Sequence, residues 1–265
     1  MNEQTYDTLL LENPAAHVLQ ITLNRPEAAN AFNTQMATDL MHCFEQLALE
    51  QVGYRCAILT GAGERAFCAG GDLKERDGMS NAAWTAQHLL YERMIRAVID
   101  CPVPVIGAVN GAAYGGGCEL AAGVDFLYAA ESARFAMTET SLGIIPGAGG
   151  TQTLARALGE RRAKELILTA RPFSAAEALQ WGLVNAVFPG EELLERVLQA
   201  AQAIAANAPV AVRQARQAIH RGLQMSLADG LAFEIEAYHR TIPTEDRREG
   251  VRAFVEKRSP EFKGE

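Results

Sequence analysis

Basic residues are scarce in this chain. Its 24 lysines and arginines are outnumbered by 32 aspartates and glutamates, a formal net charge of −8, whereas a nucleic-acid footprint is basic. No apolar run approaches the ~20 residues of a membrane-spanning helix. The opening MNEQTYDTLLLENP has acids where a signal or transit peptide carries a basic stretch, so no targeting segment is expected. Cysteine is too sparse and too scattered for a framework: Cys43, Cys56, Cys68, Cys101 and Cys118 are odd in number and contain no C-x-x-C. That pattern argues against disulfides and a zinc site and for reduced thiols in a cytoplasmic protein. Signature loops are missing as well. In IPGAGGTQ (145–152), Gln152 stands where G-x-G-x-x-G requires its third glycine, and no lysine follows at P-loop spacing. There is no G-x-S-x-G elbow and no H-E-x-x-H. His42, His88, His220 and His239 fall in helix-like stretches, where a surface or core role is the ordinary one.

The chain does hold enough apolar residues, 49% of its 265, for an ordinary globular core. Short β-rich runs occur at 17–24, 54–61, 104–111, 125–130 and 134–137. Helical periodicity lies between them, over 34–50 and 81–100. Strands alternating with helices predict an α/β core over residues 1–190. From Pro189 onward the pattern is helix after helix, broken at Pro209 and Gly222, so residues 191–265 are expected to form a C-terminal helical region.

Two glycine-rich turns stand out, AFCAGGDLKE (66–75) and NGAAYGGGCELA (110–121). Glycine lets backbone N–H groups approach a ligand with no side chain in the way. If a helix begins near residue 117, the amides before it face outward with its positive end. Two such amides converging from separate turns would form an oxyanion hole. Tight turns alone would equally account for the glycines. Glu119 and Glu139 both sit where apolar segments end near glycine. A lone glutamate is ordinarily a solvated surface group, but two facing one pocket could divide acid and base duties.

These stretches, together with FAMTETSLGIIPGAGGTQ, LNRPEAANAFN (23–33) and DRREGVRAFVEKR (246–258), resemble the enoyl-CoA hydratase (crotonase) family from about residue 15 to the C-terminus. CAGGDLKERDGMS and the C-terminal run are similar to the branch containing 3-methylglutaconyl-CoA hydratase, some members of which bind AU-rich RNA. The resemblance implies a spiral of strand–strand–helix units closed by C-terminal helices, assembled as a homotrimer or a dimer of trimers. It implies an acyl-CoA thioester as substrate, with coenzyme A belonging to the substrate and no metal or redox cofactor. By position, Gly71 and Gly116 match the two oxyanion amides, Glu119 and Glu139 the catalytic acids, and Gly147 the glycine whose amide places water. Arg25, Ala28, Ala69, Asp72, Leu73 and Lys74 match CoA-lining stretches, and Phe254 and Lys257 match residues that reach the CoA of a neighbouring subunit.

The implied reaction is reversible hydration of a short or branched 2-enoyl-CoA. Retention of both glutamates favours it over the isomerases and decarboxylases of the same family. Two departures from the common pattern are Gly71, where alanine is frequent, and Thr138, where proline precedes the second acid. An RNA-binding role is disfavoured, because residues 34–50 have no lysine or arginine and carry Asp39, Glu45 and Glu50. Acyl-pocket walls are expected from Met79, Trp84 and Leu89. A carboxylated acyl group would need a cation, for which Arg76 is the candidate, although a surface position is its ordinary fate.

Overall fold

A computed structural model describes residues 5–49 and 53–265. The first four residues of the opening segment, and Glu50 of the acidic stretch 34–50, lie outside the described residues. The strands sort into two sheets. The larger begins with β1 (Leu9–Ala15), antiparallel to β2 (Val18–Leu23). It continues in parallel through β3 (Cys56–Gly61), β5 (Val105–Val109), β7 (Phe126–Ala130) and β10 (Ala186–Phe188). The smaller runs parallel through β4 (Ala66–Cys68), β6 (Ala112–Tyr114) and β8 (Arg134–Ala136), with β9 (Phe173–Ser174) antiparallel at its edge.

A repeat underlies this order. Three strands of the large sheet are each followed within a few residues by one of the small sheet: β3 by β4, β5 by β6, β7 by β8. A helix then returns the chain, α3 (Asn81–Ile99) after the first pair and α4 (Gly116–Gly123) after the second. The result is the α/β spiral of strand–strand–helix units that the sequence resemblance implies. Each turn brings its second strand out at the same edge, so the loops after Cys68, Tyr114 and Ala136 are neighbours.

Burial explains the strand composition. Every residue of β3 and β5 is buried, as expected of parallel strands covered on both faces. The helix α1 (Thr34–Leu49) buries Met36, Leu40, Phe44 and Leu47 and lies against α3 and β1. Also buried is α8 (Gly190–Ala205), by way of Leu193, Val197, Ala201 and Ala205, and it lies against the large sheet. Beyond it come α9 (Pro209–Gly222), α10 (Leu227–His239) and α11 (Glu245–Glu256). They leave Leu223, Leu227, Leu231, Ile235 and Phe254 exposed. Arg216 on α9 reaches back to Asp125 at 2.7 Å.

All five cysteines are buried and unpaired. Burial pushes the thiols of Cys43, Cys56, Cys68 and Cys101 up to about 12 and Cys118 higher still, so each behaves as a small apolar side chain. Among the described residues no helix is long and apolar enough to cross a membrane.

One asparagine fixes the approach to the first glycine turn. Asn30 is fully buried, with φ at 54°, a left-handed conformation that asparagine tolerates better than most. Its amide donates to Ala62 O and Ala66 O, and its Oδ1 accepts from Arg25 N. Replacing Asn30 with alanine removes this partner from one buried and two part-buried backbone groups. We expect a loss of about 3 kcal/mol, read from urea unfolding as a lower midpoint at unchanged slope. A change under about 1 kcal/mol would show that these bonds are replaceable by water.

Candidate active site

The glycine turns are held against each other by backbone pairing. Phe32 N donates to Gly70 O and Asp72 N donates to Phe32 O, which locks residues 70–72 into an isolated bridge beside Phe32. Gly70 has φ of +91°, and a Cβ there would stand 3.0 Å from Gly116 N and 2.7 Å from Tyr114 O. Only glycine allows that approach. Gly116 is the first residue of α4, so its N–H has no acceptor within the helix. A Cβ on Gly116 would lie 2.4 Å from the Phe32 ring. Gly71 and Gly116 thereby line one cavity, of about 520 Å³.

Both glutamates face the same cavity. Glu119, in the first turn of α4, is 3% exposed, and its Oε1 accepts from Ala148 N at 2.9 Å and Gly150 N at 2.7 Å. Gly150 opens α5 (Gly150–Leu158), so the carboxylate also meets a helix N-terminus. Burial raises its pKa, and these two N–H groups pull it back. Glu139 begins a 3-10 turn, Glu139–Leu142, and is 7% exposed. Burial, with the charge of Glu119 adding to it, pushes its carboxyl up to about 7. Its Oε2 is buried without a hydrogen-bond partner. The environments differ in kind: the two N–H donors on Glu119 favour its charged form against the burial that raises its pKa, while Glu139 Oε2 has no such donor. The surface position that is ordinary for a lone glutamate applies to neither.

The remaining residues divide by location. Ala69 and Leu73 line the cavity, with Gly147 across it. Arg25 pairs with Asp72 at 3.0 Å at the mouth of the first turn and donates to Ala31 O. Asp72 caps α2 (Leu73–Arg76), accepting from Lys74 N and Glu75 N. Ala28 ends the 3-10 turn Pro26–Ala28 beside them, and Lys74 is exposed. Phe254 is 86% exposed on α11 and Lys257 ends that helix with φ of 55°; neither belongs to the cavity lining.

Three expectations from sequence need correction. Trp84 lines the cavity, but Met79 and Leu89 do not, since Leu89 faces outward on α3. His88 is no ordinary surface or core histidine: its ring borders the cavity, and a Cβ on Gly147 would fall 2.4 Å from it. Arg76 is not on the surface. It is 7% exposed and borders the cavity, because the single turn of α2 ends with its side chain tucked beneath α3. The sequence signal for it was Trp84, Gln87 and Tyr91, which recur on one face of α3. Among the described residues, no three His, Cys, Asp or Glu side chains lie close enough to hold a metal ion.

A two-sheet spiral with converging glycine turns over a cavity defines a crotonase-type α/β protein. The model of the enoyl-CoA hydratase/isomerase family matches residues 13–265. The short-chain-enoyl-CoA hydratase of Clostridium acetobutylicum is 42% identical over 92% of this chain and 93% of its own. Enoyl-CoA hydratase domain-containing protein 2, mitochondrial, of Mus musculus is 42% identical over 96% and 87%. The crystal structure of enoyl-CoA hydratase from Bacillus anthracis superposes with a TM-score of 0.96 at 47% identity, covering 98% of this chain and 100% of that one. The chain belongs to the enoyl-CoA hydratase/isomerase family of enzymes.

Proposed function

We propose that the protein reversibly adds water across the 2,3 double bond of a short or branched 2-enoyl-CoA. The observation that carries this reading is the pair of unlike buried carboxyls, Glu119 and Glu139, on the cavity that Gly71 and Gly116 share. The thioester oxygen would sit between the Gly71 and Gly116 N–H groups. Polarisation makes C3 electrophilic and delivers enolate charge to those amides, each contributing about 3 kcal/mol to the transition state. Glu119, the anion, removes a proton from water as the water oxygen bonds to C3. Glu139, the neutral acid, gives its proton to C2. The roles reverse in dehydration. The thioester carbonyl is itself the electron sink, so the scheme uses no resident metal or redox cofactor. The Gly147 amide, at the cavity edge, would place the water. Two working carboxyls favour hydration over isomerase or decarboxylase chemistry needing one.

Arg25, Ala28, Ala69, Asp72, Leu73 and Lys74 would receive the CoA moiety. The apolar side chains left exposed on α9, α10 and α11 support assembly of the 191–265 region into a homotrimer, alone or paired. In that assembly Phe254 and Lys257 would reach the CoA of a neighbouring subunit. Five unpaired buried thiols fit a reducing, cytoplasmic setting.

Crotonyl-CoA hydration, followed by loss of enoyl-thioester absorbance, tests the reading. Turnover by the wild type is expected, with kcat for hydration falling as pH rises through about 7, where Glu139 gives up the proton it must donate. The two carboxyls titrate as a pair, so the apparent pKa belongs to both. No turnover by folded protein would remove the reading, and a flat profile across pH 6–8 would remove Glu139 as the acid.

A further inference from the structure

A buried cation stands behind the first glycine turn, and the hydration scheme gives it no part. Arg76 Nε donates to Gln87 Oε1 at 2.7 Å, and Gln87 Nε2 donates in turn to Glu75 Oε2 and Thr34 Oγ1. The guanidinium is held against two rings, 4.3 Å from the Trp84 centroid and 4.7 Å from that of Tyr91. Tyr91 is itself fixed, its hydroxyl donating to Phe32 O at 3.0 Å. Arg76 Nη2 is buried and has no hydrogen-bond partner. An arginine keeps its charge at any ordinary pH, and a buried charge without full pairing is costly.

The location of this charge points to a use. A methyl on Gly71 would stand 3.9 Å from both Arg76 Cζ and Nη1, so the guanidinium packs on the backbone whose N–H would receive the thioester oxygen. Its neutralisation is incomplete. Glu75 meets it only through the Gln87 amide, and Asp72 is paired with Arg25 at 3.0 Å. Salt screens a charge at this depth only weakly. The thioester oxygen is nearly neutral in an enoyl substrate. As the water oxygen bonds to C3, the electron pair of the double bond collects on that oxygen, returning to C2 when Glu139 gives its proton. A fixed positive charge a few ångströms away, at an effective dielectric of ~20, favours that charged state over the ground state by about 10- to 100-fold. The rings and Gln87 already hold the guanidinium, so nothing needs to reorganise.

We propose that Arg76 is a charge behind the oxyanion hole, stabilising the enolate across the Gly71 backbone without touching the acyl group. This rests on the hydratase reading and adds a positioning residue to it. The two amides bind the oxygen, each with a partial charge, and the guanidinium supplies the full charge that amides lack. Gln87, Trp84 and Tyr91 serve it in turn by fixing where that charge stands. A field of this kind acts on the developing enolate and leaves binding of a neutral acyl chain alone.

The test separates binding of a neutral acyl group from stabilisation of an enolate. Arg76→Met removes the charge and keeps an apolar stem against the rings. It should lower kcat for crotonyl-CoA by about 10- to 100-fold. Kd for butyryl-CoA, which carries no enolate, should stay within about 3-fold of wild type. Acetoacetyl-CoA reads the charge without turnover, because its enolate absorbs in the near ultraviolet beyond the keto form. On the wild type it should be more enolised than in solution. In Arg76→Met the bound enolate-to-keto ratio should fall by about 10-fold or more, with Arg76→Lys in between. Glu75→Gln keeps the arginine and removes the opposing carboxylate, so it should raise the ratio by about 2- to 3-fold. That variant decides the matter if Arg76→Met does not fold. A ratio unmoved in folded Arg76→Met, or in Glu75→Gln, would assign the arginine to scaffolding and overturn the proposal. Equal losses of butyryl-CoA and enolate binding would overturn it too. Arg76-dependent enolisation in protein that hydrates no enoyl thioester would uphold the charge behind the hole and sink the hydratase reading. Hydration with enolisation indifferent to Arg76 would do the reverse.

Discussion

Glu119→Gln should lower kcat for crotonyl-CoA hydration by about 10³–10⁴-fold, the upper range for removing a positioned base. The substitution keeps volume, and the glutamine Oε1 can still accept from Ala148 N and Gly150 N, the two donors that hold Glu119. The fold should therefore survive, with Tm close to wild type and butyryl-CoA bound within about 3-fold, because only the charge acting on water is gone. Glu139→Gln should cost a similar factor by a different route. Its amide cannot give a proton to C2, and the pH dependence near 7 set by the Glu139 carboxyl should vanish with it. Retention of a tenth or more of wild-type kcat in either variant would show that another group does the work, and His88 would be the next to test.

Gly117→Ala should damage the protein more broadly. The added methyl would fall 2.0 Å from Cys68 O and 2.9 Å from Cys68 Cβ, and backbone cannot swing aside as a long side chain can. Either α4 retreats from β4 or the strand end moves. Overpacking of this kind costs about 3 kcal/mol or more, which in a chain of this size lowers Tm by about 6–12 °C. The shift also separates Gly71 from Gly116, so the folded fraction should lose at least about 100-fold in kcat, as when an oxyanion donor is removed. Wild-type Tm with full activity would mean that the contact of α4 with the end of β4 is looser than the geometry indicates.

How much of this was legible in the sequence depended on length and on locality. The buried strands β2, β3, β5 and β7 and the long helices α1 and α3 announce themselves through continuous apolar runs or helical spacing. The three-residue strands β4 and β6 do not, because Ala-Phe-Cys and Ala-Ala-Tyr are too short for any period to appear. β1 escaped notice because Glu12, Asn13 and Pro14 read as turn residues, although its other half pairs with β2. The glycine turns and both glutamates could be singled out as residues, but not their convergence, which depends on contacts between segments about 45 residues apart. Arg76 illustrates the remaining gap. Its burial comes from the way a single helical turn ends beneath α3, and the lysine, glutamate and aspartate around it in sequence all suggest solvent.

The stacking of β4, β6 and β8 has a consequence for how such a site can diversify. Their ends deliver Gly71, Gly116 and Glu139 from three successive windings, each carried on its own loop and supported by the same ladder. A change at one corner leaves the hydrogen-bond register of the other two intact. The polarising corners can thus stay fixed while the proton-handling corner is exchanged, which makes the architecture a workbench with one interchangeable tool. A one-residue insertion within β6 lacks that freedom, since it would invert the facing of every side chain beyond it and uncouple all three corners at once.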